Sequence, residues 1–151
     1  MTTVHRSAWT DLDPLTLHDL VALRLTVFVL EQACLYPELD GRDVEPVTEH
    51  DWTADERGPS AYLRVLTEPD GAARVGRVCT RADARGAGLA AALLTDVLDR
   101  NPGRVIVLEA QEHLAAWYGR FGFTATGPGY LDDGIPHLPM RRAPSIPTPA
   151  R

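Results

Sequence analysis

The segment Arg81–Ala90, R-A-D-A-R-G-A-G-L-A, joins a strand-like stretch to a helix-like one. Before it, Arg74–Thr80 (R-V-G-R-V-C-T) has the pattern of a strand, and after it leucine and valine recur at helical spacing as far as Leu98. Glycine has no Cβ, so Gly86 and Gly88 allow a sharp turn or a close approach to another group. The segment therefore predicts a strand–loop–helix unit whose loop either eases packing or binds a ligand.

The glycine spacing also fits a dinucleotide-binding turn. Gly86–Ala91 follows the pattern G-x-G-x-x-A, and Glu109 stands about twenty residues further on, where such a turn has its ribose-binding acid. However, five residues separate Thr80 from Gly86, and about half of the chain precedes them. Because too few βα units remain to complete a dinucleotide site, this interpretation is the least favoured.

A phosphate-binding loop is the remaining interpretation. The start of a helix presents unpaired N–H groups and a partial positive charge, and Arg85 adds a charged donor beside it. The lysine and hydroxyl residue of a nucleotide P-loop are absent from the segment. A pyrophosphate held by backbone N–H groups without an obligatory metal suggests coenzyme A.

The charge of the chain argues against several classes of partner. The 151 residues carry a net charge of −6, which is unfavourable for a general nucleic-acid binder or for binding to an anionic membrane. All fifteen strongly basic residues are arginine, so lysine chemistry is excluded. Each of these cations is a planar guanidinium, which can donate two hydrogen bonds side by side.

Length and cysteine content predict a single domain in a reducing compartment. Residues 1–142 are expected to form one domain, and the proline-rich segment 143–151 a disordered tail. Cys34 and Cys79 are far apart and have neither metal-site nor disulfide spacing, which favours a cytoplasmic protein. No segment has the length and apolarity of a membrane span.

The order of predicted elements indicates a mixed α/β fold. A first strand is predicted at Ser7–Asp11, followed by a long helix over Leu15–Ala33 and three strands that end at Thr80. After the glycine segment and its helix, Val105–Leu108 is a continuous apolar strand of the buried, parallel kind. A short helix and two short strands follow, with residues 127–136 predicted as a loop between those strands.

Several motifs together resemble one known family. R-G-A-G-L-A at Arg85–Ala90 matches the acyl-CoA signature R-x-x-G-x-[GA] of the GNAT-type N-acetyltransferases. A-W-Y-G-R-F-G-F at Ala116–Phe123 resembles the family's Y-x-x-x-G-F element. Four further segments look like the ElaA-like branch: Leu23–Asp43, Thr48–His50, Ala110–Tyr118 and Tyr130–Met140. The resemblance implies a mixed central sheet of about six or seven strands, splayed between two central parallel strands and flanked by about four helices.

By this resemblance, acetyl-CoA is the co-substrate and no metal takes part. Its pantetheine arm would pair with the backbone of Val78, Cys79 and Thr80. Its pyrophosphate would be held by Arg85, Gly86, Ala87, Gly88, Leu89 and Ala90. Gln111 stands where many relatives carry an asparagine that contacts the cofactor arm.

The resemblance also implies the catalytic residues. Tyr118 takes the place of the family's general acid, although its helical spacing also suits an ordinary core aromatic. His50 is the candidate base because histidine titrates near neutrality, yet a histidine there is also a common hydrogen-bonded spacer. Glu109 is the alternative base, acting through a water.

The acceptor site is implied less directly. It is expected to include Glu31, Gln32, Tyr36, Asp133 and His137. The acceptor itself is a small-molecule or peptide amine of unknown identity, and a homodimer is compatible with the family. A non-catalytic acyl-CoA-binding module and an enzyme like the acyl-homoserine-lactone synthases are the alternatives.

Overall fold

One mixed sheet of eight strands runs through residues 2–145, the part of the chain that the computed structural model describes. The strands are β1 (His5–Ser7), β2 (Glu49–Asp55), β3 (Gly58–Thr67), β4 (Ala73–Thr80), β5 (Ile106–Gln111), β6 (Thr124–Ala125), β7 (Tyr130–Asp132) and β8 (Ile135–Arg142). Their order across the sheet is β1-β2-β3-β4-β5-β8-β6, and β7 pairs with β8. Only β4 and β5 are parallel neighbours; the other pairings within these residues are antiparallel.

Three α-helices flank the sheet in residues 2–145. They are α1 (Pro14–Arg24), α2 (Leu89–Arg100) and α3 (Ala115–Gly119). Asp13 caps α1 by accepting a hydrogen bond from the Thr16 N–H, and Pro14 occupies the first turn, where its missing N–H costs nothing. The chain then continues as a π-helix over Leu25–Glu31.

The two faces of the sheet bury different side chains because residues alternate along each strand. On β3, Ala61, Leu63 and Val65 pack with Leu93 and the other buried residues of α2. Between them, Tyr62 points to the opposite face. It packs there with Leu20, Leu23, Val27 and Phe28 from α1 and the π-helix. The sheet is therefore the middle layer of the fold.

The α/β fold class and the parallel central pair are confirmed. The sheet has eight strands rather than six or seven, and three α-helices are present in the described residues rather than about four. The long helix predicted over Leu15–Ala33 is α1 followed by the π-helix. The strand predicted at Ser7–Asp11 is wrong, because β1 ends at Ser7 and Trp9–Asp11 is a 3₁₀ turn.

The β7–β8 hairpin lies inside the segment predicted as a loop. Its two-residue turn is Asp133-Gly134, and both residues have positive φ, 50° and 77°. Asp-Gly is the preferred sequence for such a turn, so a local signal for this hairpin was present in the sequence. Of the predicted tail, Ser145 donates its N–H to the carbonyl of Pro102, and residues 146–151 lie outside the described residues. The division into domain and tail stays a prediction.

A cluster of charged residues joins β1, β2 and the end of α2. Its acids are Glu49, Asp51 and Asp96, and its cations are Arg6 and Arg100. The side chain of Asp51 is fully buried; Oδ2 accepts from Arg100 at 2.9 Å, whereas Oδ1 has no hydrogen-bond partner in the described structure. Burial raises the pKa of Asp51 to about 7.

Replacement of Asp51 by asparagine should change how stability depends on pH. The folded protein keeps a proton on Asp51 between about pH 4 and pH 7 that the unfolded chain releases, so this group costs stability as pH rises. We expect the free energy of unfolding of Asp51→Asn to rise relative to that of wild type by on the order of 1 kcal/mol for each pH unit across pH 5–7. Urea unfolding at several pH values measures this difference, with the exposed Asp99→Asn as the control. A difference that does not grow with pH would contradict the assignment.

Candidate active site

The two parallel strands β4 and β5 part soon after they begin. They are paired only at Ala73–Ile106 and Arg74–Val107. The outer edge of each strand stays in the sheet, since β4 pairs with β3 as far as Thr80 and β5 pairs with β8 along its whole length. The inner edges beyond Arg74 are therefore open, and a cleft lies between them.

A β-bulge in β4 accompanies this separation. Tyr62 and Arg64 on β3 face Cys79 and Gly76, so the single residue between them on β3 faces two on β4. One of these two is Arg77, whose φ is +53°, a left-handed conformation that is uncommon for a residue with a side chain. A bulge bends its strand and increases the local twist, which turns β4 away from β5.

The glycine segment forms the start of α2 at one end of this cleft. Gly86 and Gly88 have φ of +82° and +76°, and Gly88 is the N-cap of α2. A Cβ built on either glycine would meet no atom within 4 Å, so the space beside them is open. The first hydrogen bond of α2 runs from the Ala92 N–H to the Gly88 carbonyl. The N–H groups of Leu89, Ala90 and Ala91 therefore precede the helical ladder and remain available as donors.

A cleft of about 670 Å³ runs from this helix start along β4. It is lined by most of the residues that the resemblance assigns to the cofactor: Val78, Cys79, Thr80, Arg85, Gly86, Gly88, Leu89, Ala90 and Gln111. Ala87 is the exception, since it lines a separate surface depression beside Arg81 and Asp83. The side chain of Cys79 is buried toward α1, and burial raises its pKa to about 12, so only the backbone of Cys79 is suited to hold a ligand.

Arg85 lies at the mouth of this cleft and is held by two contacts. Its Nε donates to the carbonyl of Thr80 at 3.1 Å, and its Nη2 forms an ion pair with Glu31 at the end of the π-helix. Glu31 lines the same cleft. The structure therefore places Glu31 beside the predicted cofactor-binding residues, rather than in the cavity that holds the other predicted acceptor residues.

A second cavity, of about 260 Å³, opens between β4, β5 and the β7–β8 hairpin. It contains the predicted acceptor residues Gln32, Tyr36 and His137, together with Glu109. The two cavities share five lining residues: Gln32, Val78, Gln111, Leu114 and Tyr118. Gln111 donates its side-chain N–H to the Gln32 side-chain carbonyl at 2.9 Å across this junction.

Tyr118 stands where the two cavities meet. It belongs to α3, and only 6% of its surface is exposed. Trp117 and Phe123 pack edge-on against its ring, with centroid separations of 4.9 and 6.0 Å. Its hydroxyl has no hydrogen-bond partner among residues 2–145, and burial raises its pKa to about 12. The phenol is therefore fixed in position and protonated at neutral pH.

Glu109 lies on β5 in the wall of the second cavity, with 42% of its side chain exposed. It accepts a hydrogen bond from the Tyr130 hydroxyl at 2.9 Å and lies 3.5 Å from Nη1 of Arg74. The ring of His137 stacks on Tyr130, and its Nδ1 lies 2.8 Å from the carbonyl of Ile135. A carboxylate in this position is open to solvent and to a bound ligand.

The two acids of the β7–β8 hairpin, Asp132 and Asp133, lie in different places. Asp132 lines the second cavity. Asp133, the predicted acceptor residue, does not line it; its side chain accepts the N–H of Leu35 at 2.5 Å and joins the hairpin to the loop after the π-helix. Asp133 is the first residue of the two-residue turn and has a positive φ, so its side chain does not follow the direction of Asp132 at the end of β7.

His50, the candidate base, lies outside both cavities. It is 1% exposed, and its two ring nitrogens lie 2.7 Å from the Tyr62 hydroxyl and 2.9 Å from the carbonyl of Asp43. Burial lowers its pKa. A general base must reach the reacting group directly or through one water, and His50 has no such path to the cleft. This geometry matches the alternative of a hydrogen-bonded structural residue.

A largely buried ionic network, with Asp40 at its exposed edge, borders the second cavity, and it was not predicted from the sequence. Three arginines and three acids take part: Arg24, Arg64, Arg77, Glu38, Asp40 and Asp43. Arg64 holds Asp40 with two hydrogen bonds of 2.8 and 2.9 Å and thereby lowers the pKa of Asp40 to about 2. The only signal in the sequence was an arginine inside an apolar helix, Arg24.

The polar front half of the glycine segment also has a structural role. Arg81 pairs with Asp55 and Asp83 at 2.5 Å and donates to the carbonyl of Pro59 at 3.0 Å, while Arg57 pairs with Asp83 at 2.6 Å. These contacts attach the loop before α2 to the β2–β3 turn.

Residues 2–145 contain no group of three or more histidine, cysteine or acidic side chains arranged to hold a metal ion. In the same residues, no helix is both long enough and apolar enough to cross a membrane.

The fold matches solved structures along nearly the whole chain. An acyl-CoA N-acyltransferase from Pseudomonas aeruginosa has a TM-score of 0.86 and 39% identity, covering 95% of this chain and 100% of its own. The structure of Escherichia coli ElaA also has a TM-score of 0.86, with 31% identity and coverage of 94% and 99%. BjaI, a CoA-dependent acyl-homoserine lactone synthase, has a TM-score of 0.75 at 17% identity, covering 93% of this chain and 82% of its own, and shares the fold alone.

Sequence comparison agrees with the structural comparison. The UPF0039 protein Rv2851c of Mycobacterium tuberculosis is 44% identical over 147 residues, which is 94% of each chain. Protein ElaA of Escherichia coli is 37% identical over 134 residues, covering 83% of this chain and 86% of its own. The family model of the acetyltransferase (GNAT) domain matches residues 52–143. With its splayed β4–β5 pair and its glycine loop at the start of α2, the chain belongs to the GNAT acetyltransferase family, in the ElaA-like branch.

Proposed function

We propose that this protein transfers an acetyl group from acetyl-CoA to a primary amine. The observation that carries the proposal is the position of Tyr118, which lines both cavities and whose hydroxyl has no hydrogen-bond partner within residues 2–145. One cavity is suited to an acyl-CoA and the other to an acceptor. The junction is therefore the place where the two substrates would meet.

The chain's own groups fit coenzyme A. The N–H groups at the start of α2 and the guanidinium of Arg85 suit a pyrophosphate, and the open space beside Gly86 and Gly88 permits close approach. The open inner edge of β4 at Val78–Thr80 offers backbone donors and acceptors to the amides of a pantetheine arm. Bound there, acetyl-CoA supplies an activated acetyl thioester.

The transfer needs two proton movements. A nitrogen–carbon bond forms while a carbon–sulfur bond breaks, so one proton leaves the amine and one reaches the sulfur. Tyr118 is the proposed donor to the sulfur, because its phenol is protonated at neutral pH and the residue lines both cavities. Glu109 is the proposed acceptor from the amine through a water, and it replaces His50 in that role because it lies in the cavity wall.

The second cavity favours an enzyme over a module that only binds acyl-CoA. A sensor requires the cofactor cleft, but it does not require a further cavity that opens on the same buried tyrosine. An acyl-homoserine-lactone synthase activity is supported by the shared fold alone, so we do not favour it.

A ligand titration followed by an amine screen tests the proposal. Acetyl-CoA should raise the melting temperature of the protein, and NAD should not, because the cleft lacks the second half of a dinucleotide site. A thiol-release assay over a panel of amines should then detect turnover. A shift with NAD but not with acetyl-CoA would overturn the proposal, and acetyl-CoA binding without turnover on any amine would support the binding module.

Removal of the Tyr118 hydroxyl should affect turnover and leave donor binding in place. We expect Tyr118→Phe to lower kcat at least tenfold, within reach of the ~10²-fold or larger effects of positioned proton donors. Acetyl-CoA affinity, measured by calorimetry, should stay within twofold because the phenol lies beyond the helix start. Tyr130→Phe removes the same group from the far wall of the acceptor cavity and should have a smaller effect on kcat. Equal losses in the two variants would remove Tyr118 from the acid role.

The Glu31–Arg85 pair should weaken donor binding. The carboxylate of Glu31 competes with a pyrophosphate for the Arg85 guanidinium and repels the phosphates. We therefore expect Glu31→Gln to lower the Kd of acetyl-CoA by about threefold to tenfold, the range of a partly exposed ion pair, with a larger effect at low salt. Glu56→Gln in the exposed β2–β3 turn is the control for the change in net charge. Weaker binding by Glu31→Gln would show instead that Glu31 orients Arg85.

A further inference from the structure

Arg77 is a charged residue of the second cavity whose position the proposed reaction does not explain. Its left-handed backbone, with φ of +53°, lies in the bulge of β4. Strained residues of this kind persist where the surrounding structure holds them, and they are concentrated at functional sites. Arg77 lines the second cavity and not the cleft along β4, whereas the next residue, Val78, lines both. Arg77 therefore lies on the side of the proposed acceptor.

The contacts of Arg77 fix the guanidinium and leave one edge of it free. Nε donates to a side-chain oxygen of Glu38 at 2.9 Å, and Nη2 donates to the Glu38 carbonyl at 3.1 Å. The guanidinium carbon lies 5.5 Å from the centre of the Tyr36 ring. Nη1 has no partner among residues 2–145, and 18% of the side chain is exposed. Arg77 thus presents an oriented N–H donor group to the cavity that it lines.

The charges around the cavity limit what can bind there. The buried network is balanced, with three arginines against three acids. Across the cavity, Glu109 and Asp132 supply negative charge, and Asp132 makes no ion pair within the described residues. Arg74 lines the same cavity and lies 3.5 Å from Glu109. An acceptor with an ammonium and a carboxylate would place the ammonium beside Glu109 and Asp132 and the carboxylate beside Arg77. A polyamine would instead place a second cation near Arg77, where like charges repel.

The size of the cavity limits the part of the acceptor that it can hold to a short segment. Its volume of about 260 Å³ is below the ~300–1,000 Å³ of sites that enclose drug-sized ligands. An amine beside Glu109 and an anion beside Arg77 must therefore be carried on one short skeleton. Building on the proposed function, we propose that the second cavity contains a carboxylate subsite at Arg77, and that the acceptor is a small amino acid.

Matched pairs of acceptors test this subsite without any mutation. Glycine, β-alanine, γ-aminobutyrate and L-phenylalanine are each compared with the amine that lacks the carboxylate: methylamine, ethylamine, propylamine and phenethylamine. With acetyl-CoA as donor, thiol release should give a kcat/KM at least tenfold higher for the amino acid in one pair or more. Equal or higher values for the plain amines in every pair would overturn the subsite and leave the proposed function standing. No release with any of the eight amines, despite acetyl-CoA binding, would count against both.

Variants of Arg77 then test whether it supplies the selectivity. Arg77→Gln should lower the ratio of amino acid to plain amine at least tenfold, and Arg77→Lys should restore part of it because it keeps the charge and loses the planar fork. Arg141→Gln is the control, because Arg141 is exposed on β8 and makes no ion pair within the described residues, and melting temperatures establish that each variant is folded. If Arg77→Gln does not fold, Arg77→Lys alone decides the question through the same ratio. A preference for amino acids that the folded Arg77 variants retain would overturn the role of Arg77.

Discussion

The early parting of β4 and β5 is the constraint on which the site depends. Two paired residues hold the strands together, after which their inner edges carry backbone groups without a strand partner. Such edges are costly to bury and prone to pairing with other chains. Here the outer edges are paired with β3 and β8 except at the bulge of β4, so the sheet stays intact while the gap stays open. A ligand with amides along an extended arm would complete the missing pairing, which makes the gap a binding site by virtue of its backbone.

An ionic network, rather than an apolar core, supports the wall of the second cavity. Burying an ion pair often gains little over well-packed apolar residues, but removing one partner leaves an uncompensated charge at a cost of several kcal/mol. The network of Arg24, Glu38, Asp43 and their neighbours holds the loop after the π-helix against β3 and β4. Tyr36 on this loop lines the second cavity. The network therefore contributes less stability than apolar packing would, but it fixes the position of the loop beside the second cavity.

Local signals in the sequence predicted the central unit well, and long-range contacts were out of their reach. The glycines, the leucine spacing of α2 and the apolar run of β5 each act over a few residues, and the strand–loop–helix–strand unit followed from them. The residue type of His50 suits a base, but the antiparallel pairing of β2 with β3 places it opposite Arg64, in the interior, where its ring reaches the hydroxyl of the diagonal neighbour Tyr62. Glu31 pairs with a residue 54 positions away, a contact that no periodicity reports.

The absence of lysine fits both the ionic network and the proposed chemistry. A buried network with several acids needs donors that stay charged and bind two oxygens at once, which the guanidinium of arginine provides and an ammonium does not. An amine-directed acetyltransferase also contains, in any lysine of its own, a nucleophile of the kind that it modifies. A chain with fifteen arginines and no lysine has no such side chain to compete with the acceptor. The same composition thus serves the packing of the cavity wall and the chemistry proposed beside it.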